Sequence, residues 1–165
     1  MNDLIAADFG IRQLHARFGE AVWRKDAAAF GACYAVQADW KIAGLHITGR
    51  DDIAATFARL LGACEKVRLI VGFPQLELTD SGAIGRIETT ELAKMGDGSF
   101  AMTLGIYHDR YVLEDGLWRF AARHFELAYR GPADLSAAFV QQPDFGLFPA
   151  MPPADAPTLT RRFAD

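Results

Sequence analysis

The stretch IYHDRYVLEDGLWRFAARHFELAYRG, residues 106–131, carries the fold. Apolar and polar residues alternate along both of its arms, the period of a half-buried strand, and Glu114-Asp115-Gly116 between them puts a glycine where positive φ is cheap. It reads as a long antiparallel hairpin. Working upstream, the same period of two marks segments at about 66–78, 83–94 and 99–114 ahead of 117–128, separated by Thr79-Asp80-Ser81-Gly82 and Gly96-Asp97-Gly98. Connections this short join neighbouring antiparallel strands, so a four-stranded meander is expected.

Ahead of the meander the period changes. Leu4, Phe9, Ile11, Leu14, Phe18, Ala21 and Val22 recur at helical spacing from Asp3 to Arg24. After a break at Lys25-Asp26, Asp26 can cap a short helix over Ala27 to Cys33, with Phe30 and Tyr34 facing inward. Trp40, Ile42, Leu45 and Ile47 lie in a short extended stretch around Gly44. Thr48-Gly49-Arg50-Asp51-Asp52 then opens a third helix reaching about Gly62, its acidic first turn complementing the helix dipole. Three helices before a meander predict an α+β fold in which a curved antiparallel sheet wraps the long first helix. One domain over 1–130 is expected, followed by a proline-punctuated tail over 131–165. In that tail Ala133 to Val140 can form a helix covering the cone mouth or a partner, and the last dozen residues have a disordered composition.

Composition narrows the function. A net charge of -4 without a run of Lys or Arg argues against nucleic acid as a partner. Twelve Phe, four Tyr and three Trp suit an apolar cavity. Cys33 and Cys64 stand far apart with no metal-ligand spacing, and both read as reduced, buried thiols. No phosphate loop or dinucleotide fingerprint is present, so neither metal nor cofactor is expected. The N-terminus lacks a basic region and a long apolar stretch, which predicts no signal peptide, no membrane span and a cytoplasmic location.

Three further stretches sharpen the reading: IRQLHARFGEAVWRKDAAAFGACYAVQADWKI, ITGRDDIAATFARLL, and the closing hairpin with Tyr107, Asp109, Asp115-Gly116 and Trp118-Arg119-Phe120. Over roughly residues 4 to 130 the chain resembles a SnoaL-like protein of the nuclear transport factor 2-like superfamily. The resemblance implies a cone-shaped sheet around the first helix and dimers or trimers formed through the outer sheet face. It also implies one of many chemistries, among them ketosteroid isomerisation, scytalone dehydration, dehydrochlorination and polyketide cyclisation. The dehydratases and dehydrochlorinases of the group resemble one another in a His-Asp dyad. Here the matching helix position is Trp23, and Val67 to Gly72 contains no His.

A general base must therefore come from elsewhere. Alternation sends only one of Tyr107 and His108 into the concave face. Tyr107 inward brings Asp109 with it, while His108 inward brings Arg110. On the last strand His124 and Glu126 share a parity with Trp118 and Phe120 and form a base-and-orienter pair on what reads as the interior face, with Glu88, Glu91 and Lys94 across from it. Arg119 and Arg123 take the opposite, outward parity. His15 sits on a helix face that the period turns partly outward, Trp23 reads as a stacking wall, and Trp40, His46, Phe18 and Phe73 are the remaining candidates for contact with a ligand. The leading expectation is a cofactor-independent lyase or isomerase (elimination, dehydration, deformylation or double-bond shift) acting on a hydrophobic aromatic, polyketide or steroid-like molecule. The alternative is a non-catalytic small-molecule binding protein of the same fold.

Overall fold

The computed structural model describes residues 2–158. Among the described residues there are three helices, α1 (Asn2–Arg24), α2 (Ala27–Ala32) and α3 (Arg50–Gly62), and seven strands. The strands are β1 (Tyr34–Ile42), β2 (Leu45–Thr48), β3 (Cys64–Val71), β4 (Gln75–Thr79), β5 (Gly82–Met95), β6 (Phe100–Glu114) and β7 (Leu117–Gly131). They form one mixed, open sheet in the order β2-β1-β7-β6-β5-β3, with β4 also on β5.

Local chemistry explains the boundaries. Asp26 accepts a hydrogen bond from the Ala29 backbone N–H at 2.9 Å, capping α2 and turning the chain back along α1. Asp115 and Gly116 both adopt positive φ, 53° and 74°, the conformation of a tight two-residue hairpin turn joining β6 to β7. Gly72-Phe73-Pro74 divides the first expected strand in two: β3 pairs with residues 89–95 of β5 and β4 with residues 82–86. The stretch around Gly44 is a full hairpin rather than a short extended piece. Its first strand, β1, starts directly after α2 and runs parallel to β7.

Two interruptions in the β6–β7 register decide which residues face inward. Pairing passes from Arg110↔Ala122 to Tyr111↔Phe120, leaving Ala121 over, and from Leu104↔Tyr129 to Gly105↔Leu127, leaving Ala128 over. Each extra residue exchanges the two faces of everything beyond it. Phe120 faces α1, but so does Arg123, the reverse of its expected outward parity, and His124 and Glu126 leave the interior for the outer face. Beyond the second bulge Arg130 returns inward, and Tyr129 stacks outside on Phe139 at 4.8 Å.

The helices close the concave side. Ile11, Leu14, Phe18 and Val22 of α1 are buried against the sheet, and Phe30 of α2 stacks on Phe57 of α3 with centroids 3.8 Å apart. The tail has no helix over 133–140 and runs as irregular chain across the outer face of the sheet. Val140 N–H bonds to the Ala128 carbonyl, Arg86 donates to the Gly146 and Ala150 carbonyls, and Lys41 donates to those of Ala154 and Ala156. Part of the dozen terminal residues with a disordered composition, 159–165, lies outside the described residues. No described helix is long and apolar enough to cross a membrane.

Candidate functional site

The inner faces of β5, β6 and β7 form a ladder of cross-strand rungs. From one end these are Glu91–Thr103–Arg130, Thr89–Gly105–Leu127, Ile87–Tyr107–Phe125 and Gly85–Asp109–Arg123. The first three rungs line a cavity of about 430 Å³ between the sheet and the helices. Its walls are mostly aromatic and aliphatic, including Phe18, Phe30, Trp40 and Phe57. Gly105 is required here: a Cβ on it would lie 2.3 Å from Cζ of Phe125, so only glycine lets that ring lie down on the sheet.

The fourth rung is a polar floor under the cavity. Arg123 holds Asp109 with two hydrogen bonds, 2.7 and 3.0 Å, and both side chains are fully buried. Its guanidinium carbon lies 3.7 Å from the Tyr107 ring centre and 3.9 Å from that of Phe120. Tyr111 donates to Asp109 Oδ2 at 3.0 Å, so the 2.9 Å contact between Tyr111 Oη and His15 Nε2 requires the imidazole to be the donor. That fixes His15 as the neutral Nε2–H tautomer, and burial together with the Arg123 cation holds its pKa well below the ordinary value. Burial raises the Asp109 carboxyl and Arg123 opposes it; the two-pronged pairing keeps both partners charged.

The titratable groups that line the cavity sit on the first three rungs. Glu91 lines it, and burial raises the carboxyl's pKa above the ordinary carboxylate value, opposed by Arg130. Arg130 Nη1 donates to Thr103 Oγ1 at 3.0 Å, and burial lowers its pKa against the pull of Glu91. No salt bridge joins Glu91 to Arg130 among the described residues, which leaves the carboxylate free to act on a third group. Tyr107 also lines the cavity; burial carries its phenol up to about 12, so it stays a hydrogen-bond donor near neutral pH. A base of raised pKa, a cation and a neutral donor in an apolar hollow can remove a proton and stabilise the resulting anion.

The expected site residues separate into groups. Tyr107, Phe18 and Trp40 line the cavity, and Asp109 lies beneath it. His108, His124 and Glu126 come together on the opposite face under the tail. There His124 Nε2 is 2.6 Å from Glu126 Oε1, and Phe145 packs on His108 with centroids 4.9 Å apart. His46 is on β2, half-exposed and 2.8 Å from Asp39. Trp23 is 45% exposed beneath the Arg68 guanidinium, and Phe73 is 80% exposed beneath Arg12, so neither reaches the cavity. Glu91 faces inward, away from His124, while Lys94 pairs with Glu65 at 2.6 Å. His15 is buried, and its signal was its place in the stripe Ile11, Leu14, His15, Phe18, Val22. Thr103 and Arg130 were missed although plain alternation already gives them the inward parity of Tyr107 and of Phe120, because a lone threonine and a lone arginine carry no motif of their own.

A family model for the SnoaL-like domain matches residues 5–124. A search of curated protein sequences finds no match. Among solved structures, a scytalone dehydratase candidate from Novosphingobium aromaticivorans is similar at a TM-score of 0.74 and 16% identity, covering 79% of this chain and 91% of that one. The type 3 hexachlorocyclohexane dehydrochlorinase of Novosphingobium barchaimii is similar at 0.72 and 16%, covering 84% and 97%. A Mycobacterium tuberculosis protein of unknown function is similar at 0.71 and 21%, covering 83% and 80%. These likenesses establish the architecture, and with the family match over most of its length the chain belongs to the SnoaL-like domain family.

Proposed function

We propose that this protein is a cofactor-free lyase or isomerase acting on a hydrophobic, ring-containing small molecule in the cavity between α1 and the sheet. One observation carries the reading: Glu91, a carboxylate of raised pKa without an ion pair, faces an otherwise apolar cavity beside Arg130. A structural carboxylate is ordinarily tied into an ion pair, as Asp109 is. Glu91 is not. In this reading Glu91 takes a proton from carbon next to a carbonyl or leaving group. Arg130 and the Tyr107 hydroxyl stabilise the developing oxyanion or departing group, and Phe18 and Trp40 hold the ring. The chemistry is of the type named by the dehydratase and dehydrochlorinase structures that share the fold, with a different base.

The test is a panel of cyclic β-hydroxy ketones, unconjugated enones and halogenated rings incubated with the wild-type chain, followed by absorbance and mass spectrometry. Glu91→Gln keeps the shape and removes the base, so kcat falls about 100-fold or more while the ligand still binds. His124→Ala, on the other face, leaves kcat unchanged. Because Glu91 must be ionised to act, kcat/KM falls as pH drops through its raised pKa, placing the acid limb above the range of an exposed carboxylate. Saturable binding with neither product nor exchange of ligand hydrogen for solvent deuterium would instead identify a binding protein.

A further inference from the structure

We propose that the pocket on the outer sheet face is a second ligand site, built for a small tetrahedral oxyanion of the phosphate or sulfate type. The pocket has a volume of about 120 Å³ and lies between the sheet and residues 151–154 of the tail. Lys41 of β1, His46 of β2, His108 and Arg110 of β6 and His124 of β7 all line it, and its one acid is Asp39. Asp39 is already occupied by His46 Nε2 at 2.8 Å and the Thr48 hydroxyl at 2.9 Å. In a chain with a net charge of -4, Lys41 and Arg110 set two cations against one acid around this hollow, with three imidazoles beside them.

The donors are incompletely used. His108 is 4% exposed, and its Nδ1 has no hydrogen-bond partner among the described residues. Lys41 spends two of its three N–H groups on tail carbonyls, which leaves one. Arg110 is exposed and has no hydrogen bond or ion pair among the described residues. The tail therefore roofs the pocket without filling its hydrogen-bonding capacity, and an acceptor with several oxygens would satisfy these groups at once. The charged groups facing the two imidazoles are Lys41, Arg86 and Arg110, with Glu126 beside His124. Burial, with Arg86 acting on His108 and Lys41 on His124, keeps both imidazoles neutral in the absence of an anion. A bound dianion reverses that field and draws protons onto them, so binding tightens as pH falls.

Isothermal titration of the full chain with sodium phosphate and, separately, with sodium sulfate tests the site. Sulfate does not titrate near neutral pH, so any proton it brings in belongs to the protein. Saturable sulfate binding is expected, tightening about ten-fold between about pH 7.5 and about pH 5.5, with proton uptake and nitrogen chemical-shift changes in His108 and His124. Arg110→Gln, which breaks no contact with the tail, should weaken it about ten-fold. Lys41→Met should weaken it further. Absence of saturable binding for both anions, indifference to Arg110→Gln, or shifts confined to the inner cavity would each overturn the proposal. Phosphate binding without sulfate binding would restrict the site to a hydrogen-bonding phosphate and remove its proton linkage to the two histidines.

Discussion

Among the described residues Arg123 heads the fully buried side chains by volume, and Asp109 alone balances its charge, through hydrogen bonds of 2.7 and 3.0 Å. The three rings packed around the guanidinium add cation–π support but carry no countercharge, and its Nη1 has no partner among the described residues. Removing the acid therefore leaves an uncompensated buried cation, while removing both charges leaves a neutral cluster in which the amide can still meet the Tyr111 hydroxyl. Asp109→Asn is expected to destabilise the fold by about 3–5 kcal/mol, and the double change Asp109→Asn with Arg123→Met by clearly less. Denaturant unfolding of the two variants checks the order, and equal losses would show that the pair is worth no more than its packing. Tyr107 makes the result visible in the site, because its ring rests on the guanidinium 3.7 Å away. Asp109 was legible in the sequence as a strand carboxylate sharing Tyr107's parity. Its partner was not, because Arg123 sits one bulge away from the parity that alternation assigned to it.

The elements themselves were legible wherever local chemistry marks them. Asp26 caps α2, Asp115-Gly116 makes the hairpin turn, and the stripe of α1 faces the sheet. The bulges were not legible, because the extra residues, Ala121 and Ala128, are alanines with no turn chemistry, and a one-residue insertion carries no local signal while reversing a whole strand end. The parallel contact of β1 with β7 was also hidden, since it joins residues more than eighty apart in the chain. The reversal put His124 beneath the tail beside His108, which plain alternation turns away from Tyr107, and there burial and nearby cations lower both pKa values from 6.5 to about 4. Such groups contribute stability in full above 6.5 and lose it as pH falls from 6.5 toward 4. Glu126, raised from 4.5 to about 7 by burial, works the other way: its contribution is full below 4.5 and lost as pH rises to 7. Two histidines against one glutamate make acidification from 6.5 to 4.5 a net loosening of the tail. Hydrogen-exchange protection of the Val140 amide, which bonds to the Ala128 carbonyl at 2.8 Å, should fall over that interval relative to core amides. Constant relative protection would show that the tail is held by its backbone contacts alone.

At the scale of the whole molecule, the cone gives up packing to keep a hollow. A cavity of about 430 Å³ falls within the size range of small-molecule sites, and a close-packed domain would ordinarily fill such a space with side chains. The sheet that keeps it open is anchored by the polar floor at Asp109 and Arg123, while the stacked Phe30 and Phe57 of the cavity wall hold α2 to α3. Stability and ligand binding should therefore trade against each other at the cavity wall and not at the floor. Ala93 is the position to test, because it is 4% exposed, lines the cavity and lies on the same strand face as Glu91 without any polar role. Ala93→Leu adds three methylene-sized groups to the hollow and should stabilise the empty protein by about 1–2 kcal/mol, less than full apolar transfer would give because of crowding. The wild-type chain should gain further stability from a bound ring compound with the logarithm of one plus its concentration over Kd, and the variant with the narrowed cavity should gain less. Thermal melts of both proteins with and without the compound measure the two effects together. Loss of stability in Ala93→Leu, with ligand stabilisation intact, would mean that the hollow is closed around Ala93 and that the ligand enters from another side.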